Sequence, residues 1–380
     1  MIALMFMSSE PLHWPKVLST ASMPKSDFQS LKKQGWWSPT RGFLVDPPKG
    51  EKYTWQQQCY LGYVRALVQQ HPGGIVLAGT TAAMLLGYPV WPSPVDIVAY
   101  KNGGRCEARE LPSHSYSAKK ARFRPMNGRA ITRAIDLGQG VYTTTHEQTA
   151  VDVARLAASQ TAFIIVCSIL GRLATSGDIY QDRTDPEFLE REAAVRARMM
   201  AIAERLPSSA GRQRAMQVIS TASGQVESVA EARVLWIIRA YGLPSPIMQH
   251  RFLVDGKEYF GDFVWPERKL IVEFNGEGKY RDDEKNRRVA DERARESQLR
   301  SAGYEVVNIS WKQLPNHEYI ARLIHGFLNR GPSMSLPTPN AQLHLMHAEK
   351  SLRRDFGASR TVTARSSGTR IHSSGDKPRK

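Results

Sequence analysis

Two acids set inside apolar strands are the residues of this chain whose types and spacing could do chemistry. The stretches YFGDFVW and LIVEF both read as β-strands, separated by Pro266-Glu267-Arg268-Lys269. If those four residues form the loop, Trp265 faces Leu270 and Asp262 faces Glu273. A slip of one residue still leaves the two acids diagonal neighbours. Ile271 shares the face of Glu273, while Leu270, Val272 and Phe274 share the other. Like charges this close repel, and burying them among Phe, Val, Ile and Trp is costly unless a cation joins them. Mg²⁺ (or Mn²⁺) suits the pair, because it takes oxygen ligands and keeps several waters. Such an ion can activate one of its waters and offset charge on a scissile phosphate. Glu231, one turn before Leu235, is placed to supply a third carboxylate. Lys279, just past the strand, is the best candidate to steady a phosphate, with Lys285, Arg287 and Arg288 following. Asn275 could hold a metal-bound water through its amide. The plain alternative is open at this point: Asp262 and Glu273 paired with Lys269, Lys279 or Arg281, and Glu231 an ordinary exposed helix residue.

The elements that must position these groups are legible nearby. ESVAEARVLWIIR predicts a helix over 227–239, stopped by Gly242 and Pro244. A strand follows over 247–254, then a turn at Asp255-Gly256. Further upstream, MPKSDFQSLKKQGWWSPTRGFLVDPP predicts a helix capped by Ser26 or Asp27, followed by a two-stranded wing, the outline of a degenerate winged helix. Residues 52–71 read as a helix, 75–88 as a strand, a turn and a small helix capped by Thr80, and 94–100 as a β-branched strand. Residues 111–135 carry Lys119, Lys120, Arg122, Arg124, Arg129 and Arg133 and no acid. Strand-like alternation in ARFRPM makes this a candidate phosphate-contacting face, or an ordinary solvated basic surface. A strand over 139–145 leads into the helix AVDVARLA, where Asp152 sits in a favourable early turn. The apolar helix TAFIIVCSILGRL predicts the middle core, with amphipathic helices over 187–207 and 211–222.

Composition sets the bounds. With 380 residues, two or three domains are expected: 1–50, 51–222, 223–329, and a disordered basic tail over 330–380. That tail holds ten Lys or Arg against three acids. A net charge of +16 attracts phosphate backbones, DNA among them, and membrane surfaces, without choosing between them. No apolar run is long enough to cross a bilayer, and the first residues make a poor signal peptide, so no membrane role and a cytoplasmic location are expected. Cys59, Cys106 and Cys167 are too far apart for a disulfide framework or a zinc site. No heptad or apolar seam indicates an oligomeric state.

ESVAEARVLWIIRAYGLP, GDFVWPERKLIVEFNGEGKY and RARESQLRSAGYEVVNISWKQL together resemble the endonuclease domain related to the very-short-patch mismatch repair nucleases, in the restriction-endonuclease-like PD-(D/E)XK superfamily. That resemblance implies a mixed sheet flanked by helices. It assigns Glu231 as the helix acid, Asp262 as the central metal-binding acid and Glu273 as the acid of the second half-motif. Asn275 stands where the wider superfamily has Lys, and Lys279 where relatives have His or Lys. Glu292, Arg295 and Glu296 match a charged helix flanking the site. Upstream, LAGTTAAMLLGYPVW and GVYTTTHEQTAVDVARLA resemble the AbiEi-type antitoxin and regulator family, which implies DNA-binding repression and a toxin partner. The expected fold class is therefore α/β, with a restriction-endonuclease-like sheet behind an α+β region. Two functions follow: a Mg²⁺-dependent DNA endonuclease or nickase, or a DNA-binding regulator whose nuclease-like fold is a platform.

Overall fold

The computed structural model describes residues 12–49, 52–91, 96–103, 106–112, 121–128, 133–176, 183, 185–208, 211–254, 256–275, 294–329, 336–340 and 343. Within them the chain is α/β, with three sheets. The smallest pairs β1 (Val17–Ser19) antiparallel with β2 (Phe43–Val45), and helix α1 (Lys25–Lys33) lies between them in sequence. Trp37 and Val45 exchange both backbone hydrogen bonds, at 3.0 and 2.8 Å. An antiparallel bridge thus follows the helix, and one strand also precedes it. Ser26 and Asp27 fall inside the first turn of α1, whose N-cap is Pro24.

Helix α2 (Lys52–Gln70) leads into a six-stranded mixed sheet. Its strands are β3 (Ile75–Leu77), β4 (Ile97–Lys101), β5 (Arg109–Glu110), β6 (Arg122–Asn127), β7 (Ala134–Asp136) and β8 (Tyr142–Thr144), in the order β5-β6-β4-β3-β8-β7. Helix α3 (Gly79–Leu85) follows β3, with Ala78 at its N-cap rather than Thr80. Helices α4 (His146–Leu156), α5 (Ser159–Ala174), α6 (Pro186–Glu204) and α7 (Arg212–Thr221) pack together beyond the sheet. Asp152 does more than favour a helix start. It is fully buried, and accepts hydrogen bonds from Tyr100 Oη (2.6 Å), Arg155 Nε (3.2 Å) and Gln148 Nε2 (3.2 Å). The carboxylate therefore braces α4 against β4. Cys59 and Cys167 are buried free thiols, as apolar packing requires.

Helix α8 (Val229–Ala240) opens the last region. β9 (Ile247–Val254) and β10 (Lys257–Trp265) form a two-residue hairpin, and Gly256 supplies the positive φ (74°) that such a turn demands. A short 3₁₀ turn over Pro266–Arg268 folds the chain back into β11 (Leu270–Phe274). A helix follows, α9, described over 294–301, then β12 (Glu305–Ile309), parallel to β11, and helix α10 (His317–Leu328). The sheet order is β12-β11-β10-β9. Leu270, Val272, Phe263 and Trp265 face the main core. Ile271 and Val264 face a second cluster with Phe252, Leu299 and Val306.

The main core runs across residues 222 and 223 without a break. Trp236 of α8 is fully buried, donates from Nε1 to Ser159 Oγ of α5 (3.1 Å) and meets the His317 ring edge-to-face. The expected disordered tail is corrected in part: Leu343 is fully buried, and the Asn340 N–H bonds the Ala240 carbonyl (2.8 Å), closing the end of α8. No helix among the described residues is long and apolar enough to cross a membrane.

Candidate metal and nucleic-acid site

The hairpin arithmetic places the acids as the loop length predicts. Trp265 pairs Leu270, Val264 pairs Ile271 and Phe263 pairs Val272, so Asp262 and Glu273 occupy the next step of the ladder. Asp262 is half-buried and its Oδ2 accepts the Phe274 N–H (2.9 Å), which fixes the carboxylate against β11. Glu273 is buried, and its partner comes from α9: Arg295 Nη2 pairs with Glu273 Oε1 and also donates to the Phe260 carbonyl (2.6 Å). Lys269 is instead placed over the Tyr304 ring, 4.5 Å from its centroid.

Glu231 comes into the site from the start of α8, and its burial corrects the plain reading of an exposed helix residue. Its N–H donates to Ser228 Oγ (3.1 Å). Its carboxylate turns back, Oε1 accepting from Ser228 Oγ (2.7 Å) and Oε2 from the Glu227 N–H (2.8 Å). This is a variant of the capping box: the Ser228 hydroxyl caps the Glu231 N–H, while the return bonds go to that hydroxyl and to the Glu227 N–H in place of the N-cap N–H. Only 8% of Glu231 is exposed. Burial first, and the nearby Asp262 charge second, push its carboxyl up to about 7. Burial raises Glu227 as well; Arg183 opposes the rise and Asp262 adds to it. Asp262 therefore shares one electrostatic neighbourhood with both acids at the start of α8.

Glu231 and Asp262, on separate elements, feel each other's charge, while Glu273 is paired with Arg295. Among the described residues, no group of three or more His, Cys, Asp or Glu side chains stands together as a metal-binding set, so the expected three-acid convergence is not what the fold builds. Lys279, Lys285, Arg287 and Arg288 lie outside the described residues, as do Lys119, Lys120 and Arg129. Of the upstream basic face, Arg122 is half-buried on β6, and Arg124 is paired with Asp96 at 2.6 Å. Asn275 is exposed at the end of β11.

Sequence reasoning missed Gln249. This buried residue of β9 donates from Nε2 to Glu231 Oε2 (3.3 Å). A signal existed. With the hairpin turn at 255–256, position 249 falls opposite 262. The Ser228-x-x-Glu231 spacing likewise announces the capping box.

Carboxylate oxygens are hard donors that suit a small divalent cation. Mg²⁺ is commonly held by only one or two carboxylates, with water and phosphate oxygens completing its shell. Asp262 and Glu231 meet that requirement by their chemistry, so the residues present fit the group. Comparison of the chain with protein-family models, with curated proteins and with solved structures finds no match.

Proposed function

We propose that the chain is a Mg²⁺-dependent DNA endonuclease or nickase. The observation that carries this reading is the buried Glu231 carboxyl, held by Ser228, Glu227 and Gln249, with Gln249 standing opposite Asp262 in the β9–β10 ladder. Repulsion between acids delivered by a helix and a strand is relieved by a cation. Asp262 and Glu231 would hold it, and Glu273 would join only by exchanging Arg295. Each Glu231 oxygen has two lone pairs; Oε1 accepts from Ser228, and Oε2 from Glu227 and Gln249, so Oε1 keeps capacity for a ligand. A bound Mg²⁺ supplies Lewis acidity and a water of lowered pKa. The chain's own part is orientation: the Phe274 N–H fixes Asp262, and the cap and Gln249 fix Glu231. Arg295, beside Glu273, offers a guanidinium of the type that binds phosphate oxygens. The charge of +16 suits a phosphate backbone such as that of DNA as the substrate.

The test is incubation of the purified full chain with plain, nicked, mismatched and branched DNA in Mg²⁺ or Mn²⁺. Cutting is expected, and Asp262→Ala should lower it at least about a hundredfold, the scale on which electrostatic catalytic groups act, while DNA retention is unchanged. A wild-type chain that cuts none of these substrates ends the enzymatic reading.

A second reading is favoured by α1. None of its residues is buried, and it presents Lys25, Lys32 and Lys33 to solvent between the strands of the small sheet. A DNA-binding regulator with an inactive nuclease-like sheet and a toxin partner would use such a helix. DNA retention without cutting, in the same assay, selects it.

A further inference from the structure

We propose that Gln249 is a positioning residue for the divalent cation at the Asp262–Glu231 site, an inference that rests on the function proposed above. β9 and β10 pair regularly from Val254 with Lys257 to His250 with Gly261, and again from Met248 with Phe263 to Ile247 with Val264. Gln249 and Asp262 occupy the step between these two runs, where the pairing lapses. There Gln249 adopts φ 50°, a left-handed conformation that side-chain-bearing residues avoid. Among the described residues two other non-glycine residues share this feature, but both stand in turns: Gln139 between Gly138 and Gly140, and Lys269 after the 3₁₀ turn. Gln249 stands inside a strand and is 6% exposed. Strain of this kind persists only where the surroundings over-determine it, and it concentrates at functional sites.

The consequence of the strain is visible. Gln249 departs from the strand's alternation and its amide donates to Glu231 Oε2 at 3.3 Å. A neutral amide is the apt group for this work. It orients a carboxylate and leaves it anionic. A lysine would neutralise Glu231 and compete with the cation, and a third acid would add repulsion. Groups that hold a metal-binding carboxylate in this way control metal affinity by about 10–100-fold.

The test is calorimetric titration of the full chain with Mn²⁺, together with thermal unfolding. Wild type is expected to bind Mn²⁺ at a site that Asp262→Ala removes. Gln249→Gly relieves the positive φ and deletes the amide. Gln249→Asn tolerates the same φ but is one methylene too short to reach. Both should keep or raise the melting temperature and bind Mn²⁺ about 10–100-fold more weakly. Wild-type affinity in both variants overturns the proposal and leaves the site standing. So does a fall in melting temperature large enough to account for the lost binding. A wild type that binds no Mn²⁺ overturns the site and, with it, the role of Gln249.

Discussion

At the residue scale, the Glu231 carboxylate closes its own helix start and also lies in the field of Asp262. These roles pull in opposite directions. The cap bonds favour the charged form, whereas burial and Asp262 disfavour it more strongly. A carboxyl raised from about 4.5 to about 7 in the folded state has a definite linkage sign. Below its unfolded value both states are protonated and nothing is lost. As the pH rises through the folded value, the native state must carry a charge that the unfolded state carries freely, so stability falls. Urea unfolding in the absence of divalent ions should therefore show stability declining between about pH 5 and pH 8, by on the order of 2 kcal/mol. Glu231→Gln keeps a capping acceptor and should flatten that decline; an unchanged pH profile in this variant would contradict the assignment.

At the element scale, the site depends on how closely α5 approaches the segment entering α8. A Cβ added at Gly171 would lie 2.8 Å from the Gly224 carbonyl oxygen, and one at Gly224 would lie 2.6 Å from the Gly171 nitrogen. Neither backbone can yield cheaply. Glu192 of α6 ties the same segment down, accepting the Gly224 N–H (3.0 Å) while paired with Arg196. The start of α8, and with it Glu231, is thus set by a backbone contact with the middle of the chain. Gly171→Ala should destabilise the fold by about 1–3 kcal/mol, as overpacking does, read as a lower urea midpoint with an unchanged slope.

At the scale of the whole molecule, one core joins regions that the sequence separates. α8 packs on α5, Trp236 bonds Ser159, and Gln160 of α5 approaches His317 of α10 (3.3 Å). The C-terminal end of α8 is finished by chain from beyond residue 335. Gly242 takes a positive φ of 67° at a point where a Cβ would meet the Thr338 carbonyl at 2.7 Å, Asn340 bonds Ala240, and Leu343 is fully buried. Burying a leucine contributes about 1.5–3 kcal/mol. A chain ending at residue 335 should accordingly unfold at lower urea than one ending at Leu343, by about that amount; coincident curves would show that this segment adds nothing.

The sequence by itself determined what depends on local period and loop length. Four residues between two strands fix Asp262 and Glu273 at matching steps of a ladder, and a two-residue turn fixes the β9–β10 register, because strand pairing is arithmetic once the turn is known. The helices over 52–70, 186–204 and 229–240 follow from apolar spacing and end signals in the same way. Tertiary structure alone decided which long side chain reaches which acid. Arg295 lies 22 residues beyond Glu273, and many arginines compete in a chain with 52 basic residues, so only packing of α9 on the sheet selects it. It also decided that Gln249 leaves strand geometry to hold Glu231, since a backbone twist imposed by neighbours leaves no trace in the alternation of residue types.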